Sequence, residues 1–196
     1  SFLKAIREIC DEHGILMVVD EVQSGFGRTG KLFAIEHSGV EPDIMTMAKA
    51  LGGGVAIGAM ASTNRVMKSF VPGTHAATFG GNPLACSAAL ASLKVITGKN
   101  FLNKVTATGI YFLKRLQEIA RKNPIIKEAR GAGMFLALEL NQPGHEIVID
   151  CMKQGFLINC IQQNVLRFIP PLTISRQDID SLISVLSDSL TKLNDK

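Results

Sequence analysis

Apolar positions in this chain follow two rhythms, one recurring every three to four residues and one running unbroken for four or five. The first predicts helices at about residues 2–12, ending at Gly14, and at 82–97, where Pro83 suits a first-turn position. It returns in a helix running to about 121, in another at about 144–153 closed by Gly155, and in a last helix opening at Ser175. Asp178 follows Ser175 in capping-box fashion, and Ile179, Leu182, Ile183, Leu186 and Leu190 make that helix's apolar face. The second rhythm predicts strands at 15–20, about 44–48, 56–61 and 134–140, with short ones at 156–160 and 165–169. Helices and strands in this order read as α/β, and Gly98-Lys99-Asn100 is the best break between parts 1–98 and 99–196. Ser1 leads straight into an amphipathic pattern (Phe2, Leu3, Ile6, Ile9, Cys10), which reads as a cut in a longer chain.

Two of the strands end in charge. Ile15-Leu16-Met17-Val18-Val19 runs into Asp20-Glu21-Val22-Gln23, and Ile44-Met45-Thr46-Met47-Ala48 runs into Lys49, then Gly52-Gly53-Gly54. Parallel sheets bind ligands at the carboxyl ends of their strands. An amine and a carboxylate delivered there suggest an imine-forming lysine and an acid that tunes a bound ring, the pairing that pyridoxal phosphate needs. The plainer readings are a solvated surface lysine and a turn-capping aspartate. Lys49 has no other charged residue within five positions on either side, which argues against a solvated charged face.

Composition narrows the classes. With 196 residues and 46% hydrophobic content, the chain can bury a sizeable core. A net charge of +4 is modest, and the densest basic clusters are the pairs Lys114-Arg115 and Arg121-Lys122, too little for a nucleic-acid groove. Cysteines 10, 86, 151 and 160 show no metal-ligand spacing, so no metal site is expected and reduced thiols in the cytoplasm fit best. No apolar run approaches membrane-spanning length, so no membrane partner is expected. Gly25-Phe26-Gly27-Arg28-Thr29-Gly30 satisfies the dinucleotide fingerprint formally, but that motif must open a helix, and Gly39 and Pro42 follow too soon.

At this point the chain resembles a known family. Asp20 to Gly30, Pro42-Asp43-Ile44, Lys49 to Gly54 and Thr78-Phe79-Gly80-Gly81-Asn82-Pro83-Leu84-Ala85 are similar to the ornithine/GABA-type subgroup of fold-type I aminotransferases. Arg130-Gly131-Ala132-Gly133-Met134 and Leu166-Arg167-Phe168-Ile169-Pro170-Pro171-Leu172 extend the likeness over essentially the whole chain. The fold that this implies is α/β. Residues 1–98 would be the carboxyl-terminal portion of the large cofactor-binding domain, a mostly parallel sheet with helices, and 99–196 the α+β small domain. Nothing resembles the family's amino-terminal half, so its phosphate loop, ring-stacking aromatic and second substrate arginine are not expected here, and the fragment alone is expected to be inactive.

The resemblance also implies roles. Lys49 would hold pyridoxal phosphate and shuttle a proton, and Asp20 would face the pyridine nitrogen and keep it protonated. Val22 would pack on the ring and Gln23 would donate to its phenolic oxygen; core packing and a solvated amide are the competing readings. Thr78 would bind the cofactor phosphate of the other subunit in a homodimer, although Ala76-Ala77 replaces the glycine and hydroxyl residue of many relatives. Arg167 would bind a substrate carboxylate, against a structural ion pair as its alternative. Arg130 reads as structural, and His13, His37, His75 and His145 receive no role. Transamination between a small-molecule amino donor and a 2-oxo acid is the implied activity. A different pyridoxal enzyme of the same subgroup, or a noncatalytic interaction module built on the half-fold, are the alternatives.

Overall fold

The computed structural model describes residues 1–194, in two compact units that divide after Leu102. The first unit carries α1 (Phe2–His13), β1 (Val18–Asp20), β2 (Ile44–Met47), β3 (Ala59–Ser62), the single turn α2 (Asn64–Met67) and α3 (Pro83–Ile96). Its sheet has the order β1-β2-β3, with β1 parallel to β2 and β3 antiparallel to it.

Helix α1 stops where predicted. Gly14 takes the left-handed conformation (φ +63°), and its N–H reaches back to the carbonyls of Asp11 and Cys10. Only Leu3, Ile6 and Cys10 of the expected apolar face pack inward, while Phe2 and Ile9 stay exposed. Phe2 and Ile9 are seven residues apart and so share a stripe of their own. β3 starts three residues later than expected: Ala56, Ile57 and Gly58 follow the glycine turn outside the ladder, and pairing begins at Met47 opposite Ala59.

One buried carboxylate ties this unit together. Asp43, just before β2, accepts from the Met17 backbone N–H at 2.9 Å, from Arg7 Nη1 of α1 at 2.8 Å and from Arg65 Nη2 of α2 at 3.0 Å. The Met17 N–H and the Arg7 guanidinium hold its pKa down at about 2, against an ordinary 3.8. A folded-state pKa below the unfolded one adds stability that is present above about pH 4 and is lost as pH falls toward 2. Asp43→Asn is therefore expected to lose about 2 kcal/mol at neutral pH, with the difference from the parent vanishing below about pH 2. Urea unfolding across a pH series measures this; a constant difference down to pH 2 would show that shape, not charge, is what matters.

The second unit carries α4 (Phe101–Ala120), whose first two residues precede the division, β4 (Ile126–Ala132), β5 (Phe135–Leu140), α5 (His145–Lys153), β6 (Asn159–Ile161), β7 (Val165–Phe168) and α6 (Arg176–Asn194). The strands form an all-antiparallel sheet in the order β4-β5-β7-β6. Strict alternation in β5 buries Leu136, Leu138 and Leu140, which join Leu166 and Phe168 of β7 under the apolar faces of α4, α5 and α6. The Ser175 start of α6 forms as predicted: Asp178 N–H donates to Ser175 Oγ at 3.1 Å while Ser175 N–H donates to the Asp178 carboxylate at 3.2 Å. At Gly109 of α4, an added Cβ would run into the backbone of Gly133, so only glycine lets the helix approach the β4–β5 turn this closely.

β4 escaped the apolar rhythm because its outward residues are Lys127, Glu128 and Arg130, held in ion pairs with one another and with Glu139. β6 and β7 form a hairpin in which Asn159 faces Arg167, Cys160 faces Leu166 and Ile161 faces Val165. Its turn is unusual in composition, since Gln162 (φ +50°) and Gln163 (φ +67°) both take left-handed backbone without being glycine. Hydrogen bonds from Gly144 N–H to Gln163 O (2.9 Å) and from Leu140 N–H to Asn164 O (2.8 Å) hold it there.

Candidate active site

The parallel pairing of β1 with β2 sets the register Val18↔Ile44, Val19↔Met45 and Asp20↔Thr46. Asp20 is the last residue of β1, and Lys49 stands two residues past the end of β2, so both leave the sheet at the same carboxyl-terminal edge. Open α/β sheets bind ligands at that edge.

Asp20 is exposed, and its Oδ1 accepts from the Val22 N–H at 2.8 Å and from Thr46 Oγ1 at 3.3 Å. The first bond is an Asx turn, so the plainer reading of this aspartate is realised in part. Its Oδ2 takes no hydrogen bond from another of the described residues, which leaves a fixed carboxylate with one oxygen to offer. Val22 and Gln23 follow in the turn, both half-buried. Glu21 points the other way and is buried. Its Oε1 accepts from the Ile35 N–H at 2.7 Å and its Oε2 from Ser24 Oγ at 2.5 Å. It clamps the loop beyond β1, a role with no local signal because Ile35 lies 14 positions away.

Lys49 opens a single 3-10 turn, Lys49–Gly52, and adopts φ +39°. That is a costly conformation for a side-chain-bearing residue, and such strain gathers where function holds a backbone in place. The turn is pinned from beneath: Leu51 is buried against Phe26, Ala89 and Ile96, and Ser92 Oγ of α3 donates to the Ala50 carbonyl at 3.1 Å. Lys49 itself is exposed. The apolar sequence around it thus anchors the turn, and does not shield the amine as its lack of charged neighbours implied.

Thr78 is exposed in the turn that leads to α3, where Asn82 Oδ1 accepts from the Ala85 N–H at 3.0 Å and Pro83 takes the first helical position. No α-helix opens after the glycines of 25–30. Only the 3-10 turn Ala34–His37 follows, so the backbone offers no dinucleotide cradle.

In the second unit, Arg167 alternates with the inward-facing Leu166 and Phe168 and lines, with Asn159, Phe156 and Pro171, a cavity of about 430 Å³ whose wall also includes the core residues Phe112, Phe168 and Leu182. Its Nε donates to Asn159 Oδ1 at 3.2 Å. Arg130, on the same face, is held by Glu128 and Glu139 at 2.8 and 2.6 Å and is structural in this chain. Among the described residues no group of three metal-type ligands occurs, and no helix is long and apolar enough to cross a membrane.

The aminotransferase class-III family matches residues 1–190, and the chain belongs to that family. Its sequence is 50% identical to the acetylornithine aminotransferase of Methanocaldococcus jannaschii over 193 residues, which is 98% of this chain and 48% of that protein. The ornithine aminotransferase of Oceanobacillus iheyensis is 44% identical over 97% of this chain and 48% of its own length. Among solved structures, an ornithine aminotransferase from Toxoplasma gondii superposes with a TM-score of 0.92 at 34% identity, covering 99% of this chain and 47% of that one. An acetylornithine aminotransferase from Elizabethkingia anophelis superposes at 0.89 with 32% identity, covering 97% and 51%. The chain thus has the fold-type I aminotransferase architecture and spans about half the length of these relatives.

Proposed function

We propose that the protein to which this chain contributes is a pyridoxal-phosphate-dependent transaminase that moves the terminal amino group of N-acetylornithine to 2-oxoglutarate, in the cytoplasm, for arginine synthesis. The observation that carries the reaction class is the delivery of Asp20 and Lys49 to one sheet edge by the parallel pairing of β1 and β2. The substrate rests on similarity to acetylornithine aminotransferases of 47 to 50% identity. Ornithine is the second reading, favoured by the ornithine aminotransferases among the relatives.

The donor set suits pyridoxal phosphate. The free Oδ2 of Asp20 can accept a ring N–H, the exposed Lys49 amine can bond to a carbonyl carbon, Gln23 can donate an amide proton to the ring hydroxyl, and Val22 can lie against a ring face. When bound, the protonated ring supplies an electron sink for the bond broken at the amine-bearing carbon. Asp20 holds the proton on the ring nitrogen, since an adjacent carboxylate favours the cation. Nζ of Lys49 would anchor the group and, as a base, would take the proton from the amine-bearing carbon. Arg167 grips a substrate carboxylate with its planar fork. Thr78 would donate its hydroxyl to the cofactor phosphate held by a partner subunit, and the working unit would then be a homodimer.

The test is covalent mapping. The full-length protein, loaded with pyridoxal phosphate and reduced with borohydride, should carry the label on the peptide containing Lys49. A label on any other lysine would remove the basis of the reading.

A further inference from the structure

Two rows cross all four strands on the face of the second unit's sheet opposite its core, Glu128-Glu139-Val165-Ile161 and a second with Arg130 on β4, Ala137 on β5, Arg167 on β7 and Asn159 on β6; the second row holds two arginines. Its two arginines stand two strand spacings apart, roughly 10 Å at the backbone, on either side of the small Ala137. Their surroundings differ in kind. Arg130 has two carboxylates on one nitrogen, whereas Arg167 has an amide oxygen on Nε and, among the described residues, no carboxylate. The row's arrangement is set by the hairpin, because antiparallel pairing puts Asn159 directly opposite Arg167 on the same face.

A guanidinium can present two kinds of parallel fork to a carboxylate, one through Nε and its nearer terminal nitrogen, the other through the two terminal nitrogens. An acceptor on Nε closes the first. It also fixes the guanidinium plane about its long, rotatable stem, and a neutral acceptor does so without cancelling the charge. We infer that Asn159 is a positioning residue for substrate recognition: it holds Nε of Arg167 so that the two terminal nitrogens face the cavity and receive a dicarboxylic acid end-on. This inference rests on the proposed carboxylate role of Arg167. Asn159 touches no substrate in this scheme and acts through the arginine alone.

Two measurements on the full-length, cofactor-loaded protein test it: KM and kcat for 2-oxoglutarate, and the calorimetric Kd for glutarate, an unreactive dicarboxylate. Asn159→Leu, close in volume but without an acceptor, should raise both KM and Kd about 10-fold, the scale of a lost charge-assisted hydrogen bond. Its kcat at saturation should stay within about twofold, as expected when only uniform binding is lost. In an Arg167→Lys background the same substitution should add nothing, because a lysine has no planar fork to orient. An equal increment in both backgrounds would make Asn159 merely structural and overturn the inference, as would an unchanged Kd in Asn159→Leu alone. Should that variant fail to fold, Asn159→Asp keeps an oxygen on Nε but brings a charge that competes for the guanidinium. It should also weaken glutarate at least 10-fold, and an unchanged Kd would again overturn the inference. If Arg167→Lys itself leaves KM and Kd unchanged, the carboxylate role of Arg167 fails. If it weakens binding while Asn159→Leu does not, only the positioning role fails.

Discussion

Lys49→Ala in the full-length protein is expected to reduce transamination by on the order of 10⁴-fold or more, about 5 kcal/mol of barrier. The size follows from two losses at one atom. Nζ is the only group proposed both to anchor the cofactor and to carry the proton from the donor, and alanine does neither. The fold should survive, because the turn is held by Leu51 in the core and by Ser92 on the Ala50 carbonyl, not by the lysine side chain. Stopped-assay turnover with N-acetylornithine and 2-oxoglutarate measures the loss, and a thermal melt checks the fold. Residual activity within tenfold of the parent would exclude Lys49 as the proton carrier. The same variant probes assembly. Mixed with an inactive Thr78→Ala protein under conditions of subunit exchange, it should regain activity, because some mixed dimers then hold one site with both groups intact. No recovery despite demonstrated exchange would make Thr78 a local turn residue.

Asp20→Asn separates the two jobs that the geometry gives this residue. Asparagine keeps a side-chain oxygen for the Val22 N–H and the Thr46 hydroxyl, so the Asx turn at the end of β1 should persist. What it lacks is the negative charge that stabilises a protonated ring nitrogen. Turnover is therefore expected to fall on the order of 10²-fold or more, at least about 3 kcal/mol, while the cofactor still binds. Turnover near the parent's would leave Asp20 as a turn residue only. Loss of cofactor binding together with a lowered melting temperature would point to the turn as well.

How far the sequence announced this arrangement depends on the range of each interaction. Helices α1, α3 and α6 were legible because their signals are local: a periodic stripe, Gly14 in the left-handed cap, Pro83 at the first turn, Ser175 with Asp178. Asp20 and Lys49 were legible because a charge at the end of an apolar run is conspicuous whatever follows it. β4 was not, since Lys127, Glu128 and Arg130 dilute its alternation; Glu139 of the neighbouring strand pairs with Lys127 and Arg130, and Arg130 in turn pairs with Glu128. Glu21 and Asp43 carry no local signal that they are buried. Their burial depends on partners 14, 26 and 36 positions away, Ile35, Met17 and Arg7, which no local window contains. Asn159 was silent for the same reason: its partner is assigned by register, and register is a property of two strands.

That register has a consequence for chain length. β7 is pinned on its far side by β5, with Leu136 opposite Phe168, so a length change in the Gln162-Gln163-Asn164 turn is free to move only β6. One residue added and absorbed by the ladder would bring Cys160 opposite Arg167, and one removed would bring Ile158; neither side chain has an amide oxygen to offer. Point changes that keep the turn's backbone should be far milder than either. For anyone grafting a tag, a sensor loop or a relative's segment into this protein, the hairpin is a fixed-length spacer whose length, more than its composition, decides whether the arginine meets its companion.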